Sequence, residues 1–115
     1  MALGLLYVSL AVNIFVLVPV CFGLLSGAPW VDDAYGARTA ARDILTAVYL
    51  AILVASVAGL LRPMAAFVVV LLAIQVIYKL ATAWTVGDVQ HPVVTANVAI
   101  AALHIATLAT VWWKG

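Results

Sequence analysis

The sequence predicts an all-α fold, an integral membrane four-helix bundle with short connecting loops, forming a single domain over residues 1–115. Three observations lead there. The chain is 69% hydrophobic and 8% charged, with a mean hydropathy of +1.30. A soluble domain needs about 25% charged residues to face water. The charges at Asp32, Asp33, Arg38, Arg42, Asp43, Arg62, Lys79, Asp88 and Lys114 leave long apolar stretches between them. Each stretch matches a hydrocarbon core of about 30 Å, or roughly 20 helical residues. Glycine and proline then fall where the stretches end.

The first span is 3–25, without a charge. Ser26-Gly27-Ala28 offers small residues for signal cleavage. The missing basic n-region and the length of the apolar run favour a retained helix. Pro19 removes the hydrogen bond to the Phe15 carbonyl and predicts a kink. Gly23 and Gly27 stand at GxxxG spacing and read as the place where the chain turns out of the membrane. Gly27, Pro29, Asp32 and Asp33 form the longest connector, and either aspartate is a candidate cap for the next helix. The second span, 38–61, confines its charges to its first six positions. Arg62 and Pro63 make a tight turn into the third, 63–86, where Lys79 is expected to snorkel toward the interface. Gly87 and Asp88 end it, and Pro92 opens the fourth, 92–113. Connections this short force sequence neighbours to run antiparallel.

Four spans put both termini and the Arg62 turn on one side. That side has no acid and reads as cytoplasmic in a bacterial plasma membrane. Trp112 and Trp113 at one boundary, with Trp30 and Trp84 at the other, read as interfacial anchors.

Composition also removes functions. A formal net charge of +1 without a basic cluster argues against nucleic acid. The single cysteine, Cys21, permits no internal disulfide and no thiolate metal site. HExxH, CxxC and phosphate-loop motifs are missing. Ser9 and Ser56 have no convincing base beside them, and the tyrosines read as packing or interface residues. No catalytic residue and no metal ligand are therefore assigned. His91 and His104 lie on one helix, so a single subunit cannot clamp a haem between them. No cofactor is expected beyond bound lipid, with haem or quinone disfavoured.

Small residues mark helix contacts. Ala47, Ala51, Ala55 and Gly59 repeat every four residues on the second helix, and Ala99, Ala102 and Ala106 repeat at three and four on the fourth. Small side chains let backbones approach, so these surfaces are expected to pack within one bundle or between subunits. The polar residues within spans outline a track. Arg42, Asp43, Lys79 and Asn97 fall in the half nearer the Asp32 loop, while Asn13, Gln75 and His104 fall near mid-depth. Gln75 and Lys79 are four apart and share a face, as do Asn97 and His104, seven apart. With no glutamate present, Asp43 is the one acid expected to be buried, and pairing it with Lys79 or Arg42 would offset the cost of intramembrane charge. Three readings stay open: a polar plug holding three helices in register, a small ligand or ion site, or incidental snorkelling of these residues to the interface.

The pattern Pro19…Gly23, then Ala40-Ala41-Arg42-Asp43-Ile44-Leu45 leading into Tyr49-Leu50-Ala51, resembles small four-helix bacterial membrane proteins of the DoxX-like type. Members often carry an arginine at the start of the second helix, which Arg42 matches; the glycines that follow it there are largely alanine here. The resemblance implies a bacterial membrane bundle and, for some members, a role as subunit or assembly partner of membrane oxidoreductases. No cofactor is carried over.

The expected function is a small non-catalytic accessory, scaffold or assembly subunit of a larger membrane complex. Its partners would be other integral membrane subunits or copies of itself, together with lipids. One alternative is a homo-oligomeric transporter or channel for small solutes or ions that uses the polar track. The other is a lipid-, quinone- or haem-binding component of a membrane oxidoreductase.

Overall fold

Apolar length decides the architecture. In a computed structural model, which describes residues 2–88 and 90–114, the chain is all-helical: α1 (Ala2–Ser26), α2 (Pro29–Tyr35), α3 (Ala40–Leu61), α4 (Ala65–Thr85) and α5 (Pro92–Lys114). All but α2 are long and apolar enough to cross a membrane, and α1 continues unbroken through Pro19. In hydrocarbon every backbone N–H and C=O must be bonded within the protein, which helices achieve on their own. This is an integral membrane protein. α1 packs chiefly on α3 and α4 on α5, α1 also meets α5, and α3 meets α4 more lightly. The cyclic order is therefore α3, α1, α5, α4.

The longest connector is itself helical, which corrects the reading of it as a loop. α1 ends at Gly27, whose φ of +70° lets the Ala28 N–H reach back to the Gly23 carbonyl at 3.0 Å. That is the glycine stop in which the left-handed residue satisfies orphan carbonyls. Pro29 then starts α2, which folds back onto α1 and buries Val31 fully. Gly23 makes this docking feasible: a Cβ there would lie 2.5 Å from Trp30 Cζ2. Asp32 and Asp33 sit inside α2 and cap nothing in α3. Thr39 is the cap, its Oγ1 accepting from the Arg42 N–H at 3.1 Å.

Gly23→Ala is accordingly expected to push α2 off α1, at a cost of about 1–3 kcal/mol for an overpacked contact. The control is Gly59→Ala, whose new Cβ would meet the flexible end of Leu10 at 3.2 Å and Val68 at an ordinary 3.6 Å. Limited proteolysis of the α2–α3 connector should accelerate in the first variant and not in the second.

The core is layered. Leu6, Leu10, Val68 and Leu72 close one end, and Leu17, Cys21, Leu24, Val31, Tyr49 and Ile52 close the other. Between them lies a polar layer of Asn13, Ser56, Gln75 and His104, all buried. Polar side chains turn inward because lipid offers them no partner.

The same preference turns most of the small-residue stripes out of the bundle, which removes packing within one bundle for them and leaves a contact between subunits. The inner face of α3 is Arg42, Thr46, Tyr49, Ile52, Ser56 and Gly59. Ala47 and Ala51 face outward, Ala55 is half-buried, and only Gly59 of that stripe is inside. On α5 the inner face is Val94, Asn97, Ala101, His104 and Thr107, so Ala99, Ala102 and Ala106 also face outward. Alanine tolerates lipid at little cost, whereas the hydrogen-bonding residues do not, and they decide the rotation of each helix. Trp30 and Trp84 are exposed; the side chains of Trp112, Trp113 and Lys114 lie outside the described residues.

Candidate functional site: a cavity with a buried lysine

One face of α4 carries Val68, Leu72, Gln75 and Lys79 into the bundle at helical spacing. Lys79 does not snorkel: it is only 5% exposed. Its Nζ donates to Asn97 Oδ1 at 3.5 Å and lies 4.9 Å from the centre of the Tyr78 ring. The Asn97 amide is oriented by a third residue. Thr82 gives its hydroxyl hydrogen to the Lys79 carbonyl at 2.6 Å, and its oxygen accepts from Asn97 Nδ2 at 3.1 Å. That leaves Asn97 Oδ1 turned to the ammonium.

The expected carboxylate partner is elsewhere. Asp43 is half-exposed and pairs with Arg38 at 3.1 Å. Arg42 is buried but serves the loop, donating to Asp32 and to the Gly36 carbonyl at 2.6 Å. All four aspartates are exposed, so among the described residues Lys79 is a buried cation without an anion. The reason lies in α2. Because this helix brings Asp32 over the α3 N-terminus, Arg42 finds its acid there, and Asp43 is left on the outer side of α3.

Two cavities adjoin at Asn97, and Lys79 lines the smaller of them. One, of about 510 Å³, opens at the α2 end and is lined by Asp32 to Gly36, Tyr49, Tyr78, Thr82 and Asn97. The other, of about 240 Å³, lies between α1 and α5 beside Val16, Val20, Trp30, Ala96 and Ile100, and reaches Lys79. Tyr35, Tyr49 and Asn97 line both. The rings of Tyr35 and Tyr49 meet edge-on at 6.0 Å. Burial pushes the Tyr35 phenol above its usual value. It therefore stays protonated at neutral pH. Tyr78 Oη is buried without a hydrogen-bond partner. The site thus offers a fixed positive charge and phenolic donors in a medium where each interacts strongly. It holds no nucleophile with an adjacent base.

A second polar group lies deeper. Asn13 Nδ2 donates to Ser56 Oγ at 3.1 Å, and Asn13 Oδ1 meets His104 Nε2 at 3.0 Å, tying α3, α1 and α5 together. Nearer the other end Ser9 and Thr107 hydroxyls bond at 2.7 Å. Of the polar residues expected to act together, the structure joins Lys79 with Asn97 and Asn13 with His104. It leaves Gln75 between these pairs and separates Arg42 and Asp43 from all of them. Sequence reasoning missed Thr82, Tyr35, Tyr49 and Tyr78 as parts of the cavity. Tyr78 and Thr82 flank Lys79 in sequence by one and three positions, a usable signal; Tyr35 and Tyr49 gave none without α2 in place.

Arg42→Ala should free the C-terminal end of α2 and widen the cavity mouth. A cysteine placed at Tyr35 in a Cys21→Ala background is expected to react with a maleimide several-fold faster when Arg42 is alanine than when it is arginine.

Fold and site together define a four-span helical membrane protein with two adjoining cavities, the smaller lined by a lysine that has no anionic partner among the described residues. No protein-family model matches the chain, and no curated protein or solved structure matches it.

Proposed function

We propose that the chain is a small non-catalytic membrane protein that binds an anionic amphiphile, holding a carboxylate or phosphate at Lys79 and the apolar tail in the groove between α1 and α5. The observation that carries this reading is a buried ammonium, without a carboxylate partner among the described residues, that lines the groove between α1 and α5 and bonds Asn97, a residue common to both cavities. Intramembrane ionisable residues are costly and mark ligand or ion sites, and a mostly apolar pocket with a few fixed polar groups is the usual form of a small-molecule site. Lipid is therefore a ligand in this reading as well as a surrounding medium.

The test is the composition of lipid retained on purification. Wild-type protein extracted in mild detergent is expected to carry about one anionic amphiphile per chain, and Lys79→Gln at least tenfold less. Fatty acid and anionic phospholipid are separated by mass. Equal retention by the two proteins, or neutral lipid alone, would overturn the proposal.

A second reading has its own observation. The outward faces of α3 and α5 present Ala47, Ala51, Ala99, Ala102 and Ala106 to lipid, and small residues are what membrane helices use to approach one another. This supports an accessory or assembly subunit seated against another membrane protein, in which the bound amphiphile would be the feature it contributes. Ala51→Leu is expected to reduce recovery of a co-purifying membrane partner without changing lipid retention at Lys79.

A further inference from the structure

Two buried acceptors at mid-depth lack donors. Gln75 and His104 are each 0% exposed, and Gln75 Oε1 and His104 Nδ1 have no hydrogen-bond partner. Their other ends are fixed. Gln75 Nε2 donates, at 3.4 Å, to the Leu71 carbonyl of its own helix. His104 Nε2 faces Asn13 Oδ1, because Asn13 Nδ2 is directed to Ser56 Oγ. A carbonyl oxygen cannot donate, so Nε2 carries a hydrogen, and in the neutral ring Nδ1 is then a bare lone pair.

Reassigning either amide does not remove the demand. Turning Gln75 over sets its oxygen against the Leu71 carbonyl, two acceptors facing each other. Turning Asn13 over moves the imidazole hydrogen to Nδ1, which then needs an acceptor and does not reach Gln75 directly. A buried polar group left unpaired costs about 1–3 kcal/mol, and such groups are ordinarily met by protein or by ordered water.

Helix register brings the two acceptors to one place. Asn97 on α5 bonds both Lys79 and Thr82 on antiparallel α4. Seven residues back along α4 from Thr82 is Gln75, and seven residues on along α5 from Asn97 is His104. Gln75 therefore stands across from His104 as Thr82 stands across from Asn97, two turns deeper.

We propose that Gln75 and His104 form a buried water site, in which one water molecule donates a hydrogen to His104 Nδ1 and the other to Gln75 Oε1. The ligand must be small, must supply two donors and must be neutral. A cation is opposed by the Lys79 ammonium one turn away on α4, and no carboxylate lies inside the bundle to offset it. Water meets all three requirements. It also makes the polar interior continuous, from Lys79 and Asn97 at the cavity floor, through Gln75 and His104, to Asn13 and Ser56. The site stands independently of what the cavity binds.

Solid-state NMR on histidine-labelled protein in bilayers tests this directly. Only two histidines are present, and His91→Gln assigns the remaining signals to His104. The expected spectrum shows Nε2 protonated and Nδ1 unprotonated, with magnetisation reaching Nδ1 from water protons. In Gln75→Leu that transfer should fall several-fold while Nε2 stays protonated, which also reports that the Asn13 contact, and so the fold, survives. A protonated Nδ1 in the wild type, or an unprotonated Nδ1 that receives nothing from water, would overturn the proposal. The wild-type spectrum alone decides between these results if the variant does not fold.

Discussion

Lys79→Leu is expected to make the unliganded bundle more stable by about 1–3 kcal/mol while abolishing retention of the anionic amphiphile. Lys79 is buried with Asn97 at 3.5 Å and the Tyr78 ring as its only compensation. Removing an ion from water costs several kcal/mol even after relaxation, and one amide and one aromatic face return only part of that. Leucine is apolar, is at home beside Tyr78, and carries no desolvation cost. A residue that lowers stability where it stands, and whose removal ends binding, has the signature of a site held at a cost to the fold. Unfolding in mixed micelles, with and without added oleate, measures both halves. A purely structural lysine would give the opposite sign, a clear loss of stability.

Asn13→Leu should have the largest effect of the other kind. Asn13 is 2% exposed and bridges Ser56 on α3 and His104 on α5 from its place on α1. Its loss leaves a hydroxyl and an imidazole N–H unpaired in the buried middle layer of the bundle. Interhelical hydrogen bonds in membranes average only about 0.6 kcal/mol when measured in isolation. Orphaning both partners adds their desolvation cost, so a loss of about 2–3 kcal/mol is expected. Phe15→Leu, two residues away and 83% exposed to lipid, is the matched control and should stay within about 0.5 kcal/mol of wild type. Reversible unfolding of both variants in the same micelles makes the comparison.

Much of the fold was legible because hydrocarbon thickness leaves little choice. Runs near 20 apolar residues, stopped by Gly27, Arg62-Pro63 and Gly87-Asp88, are read as spans by length alone. The polar residues were also legible as a set, since intramembrane Asn13, Gln75, Lys79, Asn97 and His104 have nowhere to go but inward. What periodicity did not reveal was which way α3 turns. Ala47, Ala51 and Ala55 form the regular stripe, yet Arg42, Thr46 and Ser56 each need a hydrogen-bond partner and take the inner face. The pairing of Asp43 failed for a related reason. Its partner depended on α2, a seven-residue helix whose Pro29 start and Gly23 seat are contacts distant from Asp43 in sequence. Once α2 places Asp32 on Arg42, Asp43 is left to Arg38, and Lys79 has no acid within reach.

The central claim is that Lys79 is a cation awaiting an external anion. Its direct test is modification of Lys79 by a lipid-soluble amine reagent, read by peptide mass mapping, in neutral phosphatidylcholine bilayers with and without added oleate or phosphatidylglycerol. The account predicts that Lys79 is modified in neutral lipid and protected about tenfold or more by at least one of the two anionic amphiphiles. Modification that is the same with and without either anion, or a Lys79 that the reagent never reaches, would contradict it.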